Sequence, residues 1–221
     1  MGKRKVRASE FLTPKTMATI SFCPDMAQAA ALLLVHARDD ARPNAPEEPG
    51  GHWSAYAPAS IVLVCTALDQ WLNESLFSLD IRFPRIKEIA ASHDTIPKYY
   101  EIIRRVAGVE PAANSDLEMA WDVRNEIVHW LPRKASTTTA WPSWLSDLEA
   151  RGLVLKATLP PTGEDAVDLA SKLHSYALAR WAWMAIETAV ANLLASFPTE
   201  YEFERNHVAW TAETFSLYKR I

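Results

Sequence analysis

The stretch DVRNEIVHWLP, residues 122 to 132, closes an otherwise apolar helical pattern with an arginine, an asparagine and a histidine. Imidazole is the side chain best suited to moving protons near neutral pH, because its ring nitrogens can both give and take one. In the last helical turn, His129 lies at the negative end of the helix dipole, which attracts a cationic ring. Asn125 stands four residues earlier, the spacing at which its amide can hydrogen-bond the imidazole and fix its tautomer. Arg124 is five residues from His129, about 140° round the helix. Its long stem can curl toward the histidine, or a second copy of the chain can supply the guanidinium, and spacing alone leaves both open.

The helix that must carry these groups announces its start with SDLE, where Ser115 and Glu118 have the spacing of a capping box. It must end by about residue 131, because Pro132 lacks an N–H and disfavours helix in the residue before it. At about 100° per residue, Glu118, Asp122, Asn125 and His129 share one narrow stripe. Leu117, Ala120, Trp121, Val123, Ile127 and Val128 fill most of the remainder, so one polar side faces water or an interface.

Helical periodicity dominates the rest of the chain, and no strand-like alternation persists. A first helix is predicted over 25–38, capped by Asp25, followed by a Pro- and Gly-rich connection. A second, over about 58–79, begins with Pro58 in its first turn and is apolar all round in its first half, which predicts a central position. Short helices are expected near 84–91 and 96–107, the latter stopped by Gly108. Residues 132–162 read as an irregular insertion with one short helix near 143–151 and an extended piece at 153–159. From Thr162 a single long helix is expected to run to Phe197, where Pro198 stops it. The predicted fold class is all-α, an antiparallel helical bundle with a long C-terminal scaffold helix. A basic, flexible tail is expected over residues 1–20, and one helical domain over 21–221.

At 221 residues and 49% hydrophobic content the chain can bury a sizeable core. Cys23 and Cys65 have neither a disulfide framework's nor a zinc site's spacing, and the histidines lack metal-ligand spacing, so no metal or cofactor is expected. No apolar run is long and uninterrupted enough for a membrane anchor, and a cytoplasmic location is the expectation. The net charge of −4 argues against a broad basic face gripping nucleic acid by phosphate electrostatics alone. Glycine-rich phosphate loops, nucleophile elbows and paired-cysteine motifs are missing from the sequence.

The segment RNEIVH, residues 124 to 129, resembles the R-x4-6-H motif of the HEPN superfamily, including the polar residue that commonly follows the arginine. The context resembles it too: an all-helical chain, a preceding helix bearing ALDQWLNESL, and a long C-terminal helix. The resemblance implies a HEPN-type bundle of four or five helices that dimerises, so that two motif copies face each other in a cleft. It further implies a metal-independent endoribonuclease, of toxin–antitoxin or phage-defence kind, with RNA as substrate and an antitoxin or defence protein as a partner. His129 would then be general base or acid on the ribose 2'-hydroxyl, Arg124 would stabilise charge on the pentavalent phosphorus, and Asn125 would orient the histidine or contact phosphate. Arg133 and Lys134 would be further RNA contacts. One subgroup pairs with a nucleotidyltransferase antitoxin that modifies a tyrosine two residues after the histidine; Leu131 stands there, so that partnership is not implied.

Structural roles compete with these. Arg124 could form an ion pair with Asp69, Glu74 or Glu187, and His129 could cap its own helix. Arg180 and Glu187 are expected in inter-helix pairs. Trp141 and Trp144 could stack RNA bases or pin their loop to the core. A catalytically silent module of the same fold, binding a nucleotide, RNA or protein, is the alternative to the enzyme.

Overall fold

In a computed structural model of the chain, the described residues are 23–40, 54–79, 88, 94–129, 142–154 and 172–197. They form α1 (Cys23–Asp40), α2 (Ala57–Leu79), α3 (Thr95–Ala107), α4 (Ser115–Val128), α5 (Ser143–Ala150) and α6 (Tyr176–Ala195). All the regular structure among them is helical, as the periodicity requires. None of these helices is long and apolar enough to cross a membrane.

α2 is central because it is apolar on every side of its first half, and it packs against α1, α3, α4 and α6. Ile61, Val64, Leu68, Trp71 and Leu72 on this helix are fully buried. Each such side chain contributes roughly 1.5–3 kcal/mol of burial free energy. α1 meets α2 through a row of small residues, Ala27, Ala30 and Ala31, which lets the backbones come close. Close approach is what allows the Ser60 hydroxyl to donate to the Ala30 carbonyl at 2.9 Å. α6 closes the core with Leu178, Ala182, Ile186, Ala189 and Leu193. Trp144, on α5 rather than on a loop, packs partly buried against this core; Trp141 lies outside the described residues.

Two buried cations join elements. Lys98 of α3, 3% exposed, donates to Asn73 Oδ1 at 2.7 Å and Asp69 Oδ1 at 3.2 Å. The same Asp69 oxygen accepts from the Thr95 hydroxyl at 2.6 Å, so α2 and α3 share a closed polar network. Lys172, also buried, is held by Glu149 of α5.

Several expectations need correction. The long C-terminal helix is not continuous from Thr162: α6 begins at Tyr176, where the Ser175 hydroxyl accepts from Leu178 N. The chain turns there because the His174 carbonyl leaves the helical pattern and accepts a hydrogen bond from Ser54 N, 2.6 Å away. α4 is capped one residue earlier than the capping box predicts. Asn114, not Ser115, accepts from Leu117 N at 3.1 Å, and Glu118 accepts instead from the Tyr100 hydroxyl at 2.6 Å. Arg180 is exposed and has no ion-pair partner among the described residues, so the expected inter-helix pair is not formed. The tail over 1–20, most of the 84–91 helix and most of the 132–162 insertion lie outside the described residues; the short helix within that insertion is α5.

Candidate functional site

The site stands at the C-terminal end of α4, the helix fixed at its other end by the Asn114 cap. Leu117, Ala120 and Val123 bury one face of α4, and the Cys65 thiol of α2 lies 3.9 Å from the Ala120 carbonyl. Burial pushes that thiol up to about 12, while the nearby Arg124 guanidinium works in the opposite direction. A neutral, inert Cys65 is therefore the floor on which α4 sits.

Arg124 is partly buried beside this floor. Its guanidinium carbon lies 5.1 Å from the centre of the Trp121 ring, and Nη1 donates to Asn125 Oδ1 at 2.9 Å. Its Nε is buried and has no acceptor among the described residues. The expected ion pair with Asp69, Glu74 or Glu187 is not formed: Asp69 is held by Lys98 and Thr95, Glu74 accepts from Gln70, and Arg124 forms no ion pair within the described set. A buried N–H without an acceptor costs about 1–3 kcal/mol, and native structures keep few of them.

Asn125 is tied to Arg124 rather than to the imidazole. Its side chain accepts from the arginine, and its connection to His129 is the ordinary helical bond from His129 N to the Asn125 carbonyl at 2.9 Å. The expected amide–imidazole bond is thus replaced by an arginine–amide one. His129 ends the helix at φ −101°, ψ 20°, with its side chain exposed to solvent. Within one chain Arg124 and His129 do not touch, so α4 presents them as two separate groups. Arg133 and Lys134 lie outside the described residues.

The polar stripe on α4 borders a shallow pocket of about 330 Å³, lined by Asp94, Ile96, Pro97, Glu118, Trp121, Asp122 and Asn125. Partial desolvation and the Glu118 charge push the Asp122 carboxyl above the usual carboxylate range. The near side of the motif is thus acidic. No group of three or more His, Cys, Asp or Glu among the described residues is placed to hold a metal ion.

Sequence reasoning placed Trp121 only as an apolar residue and missed it as the shelf under the guanidinium. The signal was the three-residue spacing between them, which stacks side chains on one helix face. A far larger groove, of about 1050 Å³, runs along α6 near the opposite end of α4. Set against family models, curated proteins and solved structures, the chain matches none of them.

Proposed function

We propose that the chain is a metal-independent endoribonuclease of HEPN type, toxin- or phage-defence-like, cleaving RNA in a cleft between two copies. The observation that carries this reading is Arg124: a guanidinium oriented by Trp121 and Asn125, with a buried N–H and no carboxylate among the described residues to neutralise it. Such a group is prepared for an anion from outside the chain, and the phosphate of RNA supplies one.

In this reading an imidazole of His129 takes the proton of a ribose 2'-hydroxyl as its oxygen attacks the adjacent phosphorus. The bond to the 5'-oxygen breaks, and that leaving oxygen takes a proton from the His129 of the second copy. The products are a 2',3'-cyclic phosphate and a free 5'-hydroxyl. Arg124 stabilises the negative charge on the phosphoryl oxygens. The separation of Arg124 and His129 within one chain fits a site completed by a partner, and Val128, 44% exposed within the motif, offers that partner an apolar contact. Arg133 and Lys134, four and five positions after His129, would reach flanking phosphates, and an antitoxin or defence protein would restrain the activity.

The test is RNA cleavage by purified wild type and three variants. His129→Ala should lose roughly 10²- to 10⁴-fold of the rate. Arg124→Ala should lose a similar factor, and Arg124→Lys should recover little of it, because a point charge does not replace a planar fork. Wild-type cleavage rates in the alanine variants would overturn the proposal. The second reading, a silent module that binds a protein or nucleotide, is favoured by the acidic pocket beside Asn125, which opposes a polyanion. It predicts folded, ligand-binding protein with no cleavage in any variant.

A further inference from the structure

We infer that the groove along α6 is a docking site for an amphipathic helix of a partner protein that carries an acidic side chain opposite Arg180. The wall is a straight stripe on one helix face, Ala177, Trp181, Met184, Ala185, Thr188 and Asn192, at three- and four-residue steps. It spans about 22 Å, the length of roughly four helical turns. Two large apolar side chains stand open in it: Met184 is 51% exposed and Val109, across the groove, 56%. Both line the same concave surface, so one apolar occupant would cover them together. Small alanines between the bulky residues leave room for the ridge of a second helix.

Charge selects the occupant. The groove's acidic groups are already neutralised: Glu110 is clamped by Arg104 at 2.8 and 2.9 Å, and Asp116 by Arg151 at 2.8 and 3.1 Å. Arg151 in turn covers the Trp181 ring at 5.4 Å. Of the four charged residues among the groove's described lining, Arg180 alone has no partner there. One open cation among the described lining residues, beside a stripe that is apolar from Ala177 to Ala185 and polar at Thr188 and Asn192, fits a single carboxylate on an amphipathic helix. It does not fit RNA, whose phosphates would need a row of open cations. The groove lies at the other end of α4 from Arg124, so this inference is independent of the ribonuclease reading.

The test selects from a displayed library of randomised 15-residue helical peptides against the full chain, with the Met184→Asp chain as counter-target. Enriched peptides should share apolar residues at i, i+3, i+4 and i+7 with Asp or Glu at one fixed position. Their binding, read by fluorescence anisotropy, should weaken at least about tenfold on Met184→Asp. Arg180→Glu should reverse the preference, so that the peptide with Lys at that position binds better than its acidic parent. Absence of enrichment over the counter-target, or displacement of the peptide by a 15-nucleotide single-stranded RNA, would overturn the inference. So would sedimentation showing that Met184→Asp turns a dimer into a monomer, since the groove would then be covered by a second copy.

Discussion

The unsatisfied Nε of Arg124 is maintained by its neighbours, which hold the guanidinium without neutralising it. A cation over an indole gains about 0.5–1 kcal/mol at a partly exposed site, and a smaller quadrupole gains less. Trp121→Phe is therefore expected to keep the fold, by circular dichroism, while lowering cleavage about two- to fivefold; an unchanged rate would remove Trp121 from the site. Asp122 supplies a second test. Its carboxyl is raised above the ordinary range by desolvation and by Glu118, so the folded state disfavours its charged form. The folded chain thus holds that proton to higher pH than the unfolded chain, and the penalty is present above the folded pKa and relieved as pH falls through it. Asp122→Asn should raise the melting temperature at pH 7, and the gain should disappear on acidification. A gain that grows toward low pH would contradict this assignment.

At the scale of elements, α3 and α4 are set by two short devices. Gly108 ends α3 at φ 67°, and a Cβ there would meet nothing within 4 Å, so the position demands glycine for its backbone alone. Gly108→Ala should destabilise by about 1–2 kcal/mol in denaturant unfolding. Asn114→Ala, which removes the α4 cap, should do so by about 1 kcal/mol. The Asp116–Arg151 pair holds Asp116 below the usual carboxylate range, so its contribution is complete above about pH 4 and is lost as pH falls further. With both side chains about two-fifths exposed it is worth no more than about 1 kcal/mol.

These elements show where the sequence was legible. α2 and α3 followed from an unbroken apolar run and from a glycine stop, signals carried by the elements themselves. The cap of α4 slipped by one residue because the Tyr100 hydroxyl, eighteen positions away, claims the Glu118 carboxylate that a local reading gives to the helix start. The break before α6 was invisible because its cause is a bond from the distant Ser54 N to the His174 carbonyl. At the candidate site, RNEIVH pointed to Arg124 and His129, but the four-residue spacing that offers the Asn125 amide to the imidazole did not reveal that the adjacent Arg124 takes it, at 2.9 Å. The groove on α6 had no local motif, since its two walls come from segments far apart in the chain.

At the scale of the molecule, the proposed ribonuclease, with a net charge of −4 and an acidic pocket beside the motif, would grip RNA at few points. Three phosphate contacts, as proposed for Arg124, Arg133 and Lys134, would give a salt slope of roughly −2 for single-stranded RNA. A slope several times steeper would indicate a broad basic surface elsewhere. If the site is completed by a second copy, Val128→Asp should convert a dimer to a monomer in sedimentation and abolish cleavage together with it. The most direct measurement is incubation of the purified chain with a mixed RNA pool in excess EDTA beside His129→Ala, with the product ends analysed. The account predicts 2',3'-cyclic phosphates and free 5'-hydroxyls from the wild type and intact RNA from the variant. Intact RNA from both, at every protein concentration, or cleavage that persists in His129→Ala, would contradict it.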